Sequence, residues 1–139
     1  MLKLWLFVFI CTLPLPALAR IGETKAECVE RYGQPLKQVG GGDYLVFTKF
    51  GFGIVAHLHN DKVDMIIYMK INLEEISERE IEILLNNNGS DWMDAPREKS
   101  ARGGWMSKDG ATWASYVPLE HQLLIATAAY LDRSPAWLQ

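Results

Sequence analysis

The stretch from Asp43 to Lys70, DYLVFTKFGFGIVAHLHNDKVDMIIYMK, decides the fold. Its β-branched and aromatic residues come in short runs broken by Gly51, Gly53 and Asn60-Asp61, which is the pattern of strands joined by turns. Three antiparallel strands are predicted, YLVFTKF, IVAHLH and VDMIIYMK. Successive side chains of a strand point to opposite faces, so Ile54, Ala56 and Leu58 share one face while Val55, His57 and His59 share the other.

Upstream, IGETKAECVERYGQPL predicts a short helix. Thr24 is its N-cap, Glu27 completes a capping box, and Gly33 followed by Pro35 stops it. Its apolar stripe, Cys28, Val29 and Tyr32, is thin, so the helix needs a sheet to lie on. KQVGGGD then reads as a loop. Downstream, Ser77 and Glu80 form a second capping box, Ile76 and Ile81 occupy the positions of a hydrophobic staple, and Gly89 closes a helix whose inner face is Ile81, Leu84, Leu85 and Asn88. SDWMDAPREKSARGG reads as irregular, WMSKDGATWASYV as a hairpin about Lys108-Asp109-Gly110, and LLIATAAYL as a closing strand.

The order helix, strands, helix, strands sets the expected class as α+β: two short helices, each followed by antiparallel β-strands. Such a chain forms either a tandem of two related α+β units sharing one core or one continuous sheet. With 139 residues, 49% hydrophobic and 22% charged, the chain has the composition of a globular protein. A formal charge of −3 argues against nucleic acid or anionic lipid as partner, since both need clustered Lys and Arg.

The N-terminus reads as an address. Lys3, the apolar run LWLFVFICTL and the small residues of LPALA predict a secretory signal peptide over 1–19, cleaved after Ala19, followed by one exported domain over 20–139. The apolar run is shorter than the roughly 20 residues a spanning helix requires, and Pro14 and Pro16 interrupt it. No membrane span is expected in the mature chain. Cys11 lies inside the apolar run and not at the cleavage junction, so no lipid anchor is expected either. Its removal leaves Cys28 single, and the domain must be held by its core without an intrachain disulfide.

Gly22, Thr24, Gly33 and Pro35, at that spacing, resemble the opening helix of the SmpA/OmlA family, the small BamE-like lipoproteins of outer-membrane barrel assembly. A similar helix-then-sheet unit occurs in tandem in the β-lactamase inhibitor protein family. The likeness continues through DYLVF and the HLHNDKVDMI hairpin and so covers residues 21–70. It implies a non-catalytic binding scaffold. Two departures stand against it: the lipid-bearing cysteine is missing, and the second half of the chain carries no matching motif.

Candidate chemistry is sparse. His57 and His59 present two imidazoles from one strand face, with Asp61 or Asp64 nearby, but a metal needs more ligands, and a solvent-facing pair beside a turn is the expected reading. No metal and no cofactor are expected. Cys28 reads as a small buried hydrophobe, none of Ser90, Ser100, Ser107, Ser115 and Ser134 stands in a nucleophile-elbow context, and the carboxylates around the second helix start serve its dipole. No catalytic residue is assigned. A three-residue hairpin loop places Trp105 opposite Trp113, so the two indoles should touch; the expected role is packing against the second helix through Leu84 or Leu85, and the alternative, with the pair exposed, makes it the candidate anchor for a protein partner. The functional expectation is therefore an exported, non-catalytic domain, periplasmic or secreted, that binds another envelope or extracellular protein. The alternative is a small secreted enzyme whose site gathers distant residues such as His57, His59 and Asp64.

Overall fold

The structure, a computed structural model, describes residues 20–95 and 104–134. The expected signal peptide with Cys11, residues 96–103 of the irregular stretch with Ser100, and residues 135–139 with Trp137 lie outside these. In chain order the elements are α1 (Lys25–Tyr32), β1 (Lys37–Val39), β2 (Tyr44–Lys49), β3 (Phe52–His59), β4 (Lys62–Lys70), α2 (Glu78–Asn88), β5 (Trp92–Asp94), β6 (Trp105–Ser107), β7 (Thr112–Val117), β8 (Gln122–Thr127) and α3 (Ala128–Arg133).

All eight strands belong to one antiparallel sheet, in the order β1-β2-β3-β4-β8-β7-β6-β5. This corrects the expected α+β class of two helix-plus-strand units: the chain is strand-rich, a single sheet dressed with three short helices. Pairing of β4 with β8, from Met65↔Ala126 to Met69↔Gln122, joins the two strand runs. Three elements escaped the sequence reading. β1 and β5 have three residues each, too few to show alternation, and they are the two edges of the sheet, where short strands limit unwanted pairing. α3 was hidden in LLIATAAYL, whose strand ends at Thr127 because that hydroxyl accepts the backbone N–H of Tyr130, 3.1 Å away, and starts a helix.

α1 and α2 cover one face of the sheet. By register Leu45, Phe47, Ile54, Ala56, Ile66, Tyr68, Leu123 and Ile125 point to it, and they form one buried cluster with Cys28, Tyr32, Ile81, Leu84 and Leu85. Both capping boxes form. Thr24 accepts from the Glu27 N–H at 3.3 Å while Glu27 accepts from the Thr24 N–H at 2.7 Å, and Ser77 and Glu80 repeat the exchange at 3.3 and 2.8 Å. Asn88, on the inner face of α2, donates to the Tyr68 hydroxyl and accepts from the Ile21 N–H, which ties helix, sheet and chain start together. On the opposite face, α3 packs Tyr130 against Met65 and Ala126, flanked by Tyr44, Ile67, Leu124 and Leu131.

Candidate functional site

At one end of the sheet three loops leave side by side. Lys49 pairs with Phe52, Phe52 with Lys70, Met69 with Gln122 and Gln122 with Val117, so the β2–β3 turn, the β4–α2 segment and the β7–β8 turn are neighbours. The Ile71 N–H donates to the Gly51 carbonyl at 2.9 Å and binds the first two loops together. Each loop carries a large apolar side chain into solvent: Phe50 is 59% exposed, Ile71 57%, Leu73 72% and Leu119 95%.

The backbone here is unusual as well. The β2–β3 turn has two central residues, Phe50 (φ 51°) and Gly51 (φ 80°), both left-handed, as a tight hairpin demands. Glycine takes that conformation freely, whereas a bulky side chain resists it. Leu73 (φ 62°) repeats the anomaly, with its N–H donating to the Lys70 carbonyl in a turn. His121, in the β7–β8 turn, is left-handed too (φ 52°), and its buried Nδ1 has no hydrogen-bond partner among the described residues. Sequence reasoning missed this rim because Gly51 and Gly53 read only as punctuation. The available signal was a phenylalanine where a two-residue turn asks for asparagine, aspartate or glycine.

The opposite end holds His57 and His59. His57 is not solvent-facing as expected: its Nδ1 lies 2.5 Å from Asp64 Oδ1, and its ring sits 4.7 Å from Tyr44 and 5.2 Å from Tyr130, under α3. A register shift at His57/Leu58 lets Asp64 reach His57, and the other Asp64 oxygen accepts from Arg133 at the end of α3. His59 stays exposed beside the Asn60-Asp61 turn, so the residues of the enzyme alternative are only partly brought together. What the His57–Asp64–Arg133 group does chemically is hold α3 on the sheet.

The tryptophan pair is also corrected. Trp105 pairs with Ala114 and Met106 with Trp113, so the loop has four residues, not three, and Trp105 and Trp113 point to opposite faces. A slip of one residue inverts a strand. Asp109 sets the longer loop: its carboxylate accepts from the Ser107 hydroxyl and the Ala111 N–H, while the Thr112 N–H donates to Ser107 Oγ. Those two bonds, the Ser107 one first, hold the Asp109 carboxyl below its usual range. Trp105 joins the rim of the buried cluster on the helical face, and Trp113 lies half-buried on the other, its indole N–H donating to Gly110.

Cys28 is fully buried, as expected, and its thiol is pushed up to about 12, first by burial and then by the neighbouring Glu23 carboxylate. Such a thiol is a poor nucleophile at neutral pH. Glu23, itself buried, forms an ion pair with Arg31. Among the described residues no group of three or more His, Cys, Asp and Glu side chains is placed to hold a metal ion, and no helix is long and apolar enough to cross a membrane. No family model, curated protein or solved structure matches the chain.

Proposed function

We propose that this chain is an exported, non-catalytic binding domain that grips another envelope or extracellular protein with the rim formed by Phe50, Ile71, Leu73 and Leu119. One observation carries the reading: four large apolar side chains stand in solvent on three adjoining loops. Contiguous exposed apolar surface on a folded domain marks interaction sites, and strained backbone persists where a function uses it. The rim replaces the Trp105–Trp113 pair as the anchor, since those two indoles do not share a face. Delivery follows from the N-terminal leader, with the periplasm or the medium as destination, and a non-catalytic scaffold is also what the SmpA/OmlA resemblance of residues 21–70 implies.

The test is capture from envelope and culture fractions by the wild-type chain and by a variant carrying Phe50→Asn, Leu73→Asn and Leu119→Ser. A protein retained by the wild type and lost by the variant supports the reading. Equal retention by both would move the binding surface elsewhere.

A further inference from the structure

On the helical face, α2 and the β5–β6 edge of the sheet leave a groove of about 470 Å³. Its floor is Ile81 and Leu85, both buried, and its wall carries Trp92 and Trp105. Trp92 is fixed there, its indole N–H donating to the Leu85 carbonyl at 2.8 Å. Around the mouth stand four carboxylates, Glu78 and Glu82 from α2 and Asp91 and Asp94 from the strand side. Glu78 is explained by the start of α2, where negative charge favours the helix dipole. Asp91 and Asp94 serve no helix. Asp94 is exposed beside Trp105, its cross-strand partner.

Two half-buried indoles lining a groove with four carboxylates make a site for a cation. Tryptophan is the best aromatic for a cation–π contact, and a guanidinium can lie flat on an indole while its edges donate to carboxylates. An anionic or purely apolar ligand would have to face or desolvate four carboxylates. We propose that this groove receives an arginine-bearing segment of a partner protein, the guanidinium stacking on Trp92 or Trp105 and pairing with Asp94 and Glu82. The inference goes beyond the binding role given to the rim and does not depend on it.

The test uses the full-length chain as the expressing cell delivers it, with nitrogen-15 in its tryptophans and the Trp92 and Trp105 indole resonances assigned by Trp→Phe variants. The probes are capped peptides of sequence Ser-Gly-Arg-Arg-Gly-Ser and the same peptide with glutamine for arginine. The arginine peptide should shift the Trp92 and Trp105 resonances saturably while leaving Trp113 unmoved, and added salt should weaken it. Charge removal by Glu82→Gln with Asp94→Asn, both exposed and outside the core, should weaken binding about tenfold or more. Three results would overturn the proposal: no shift with the arginine peptide, equal shifts with the glutamine peptide, or unchanged affinity in the charge-removed variant. The rim variant with Phe50→Asn, Leu73→Asn and Leu119→Ser should bind the arginine peptide as the wild type does. Loss of binding there would mean the groove is not an independent site and would likewise overturn the inference, while leaving the rim reading to its own capture experiment.

Discussion

The two ends of the sheet use the same backbone conformation with different side chains. At the end that holds His57, the left-handed non-glycine residues are Asn60, Asp61 and Asp91; at the other they are Phe50, Leu73 and His121. Asparagine and aspartate tolerate that conformation because their short polar side chains bond locally. Phenylalanine and leucine do not, and here they project into solvent. The β3–β4 turn, Asn60-Asp61 between His59 and Lys62, is what folding alone would select; the β2–β3 turn, Phe50-Gly51 between Lys49 and Phe52, is not. One end is built for stability. The other combines left-handed non-glycine turns with exposed apolar side chains, which is the physical ground for proposing a binding role there.

The largest stability effect should fall at the polar end. Asp64→Ala removes the carboxylate that accepts from Arg133 and bonds His57, and it should cost about 1.5–3 kcal/mol in urea unfolding, since charged hydrogen bonds of a buried group are lost. A cost within error would mean that α3 is held by apolar packing alone.

The helix caps lie one at each end and sharpen the contrast by being equal. Thr24 is bridged to Lys62 at the polar end, and Ser77 follows the rim loop. Each changed to alanine should cost about 0.5–2 kcal/mol, because folding devices are kept at both ends. The Glu27 carboxyl is held below its ordinary value by the Thr24 backbone N–H first and the Thr24 hydroxyl second. A depressed carboxylate stabilises above its unfolded value and loses that contribution as pH falls through the folded one. Glu27→Gln should therefore cost less in acid unfolding experiments than at neutral pH; a cost independent of pH would remove the Glu27 charge from the cap.

The smallest effect should be at the rim. Phe50→Asn relieves left-handed strain and loses a contact of Lys49 over the ring, 5.3 Å from its centroid. These oppose each other, so stability should change by no more than about 0.5 kcal/mol. A large loss would show Phe50 to be a structural residue and dissolve the difference between the ends.

Much of the fold was legible where periodicity and caps agree. Ile54, Ala56 and Leu58 alternate with half-buried partners as read, and Thr24, Ser77, Ile81, Leu84 and Leu85 serve as their patterns require. Legibility ended where tertiary pairing decides. Neither edge strand shows a pattern in three residues, the β6–β7 register turned on one residue of loop length that the Asp109 side chain determines, and His57 read as exposed because the helix above it was unseen. The rim was written in the sequence only as a misplaced phenylalanine and an unremarked leucine, features that become informative once the turns are known to meet.

The central claim is that contact with a partner protein is made at the rim and not at the polar end. Its most direct test is photo-crosslinking during growth, with a photoreactive amino acid at Phe50 or Leu119 and, as the comparison, at Asn60 or Asp109. The account predicts one discrete protein adduct from both rim positions and none from the polar end. Adducts that are the same from both ends, or that arise only at Asn60 and Asp109, would contradict it.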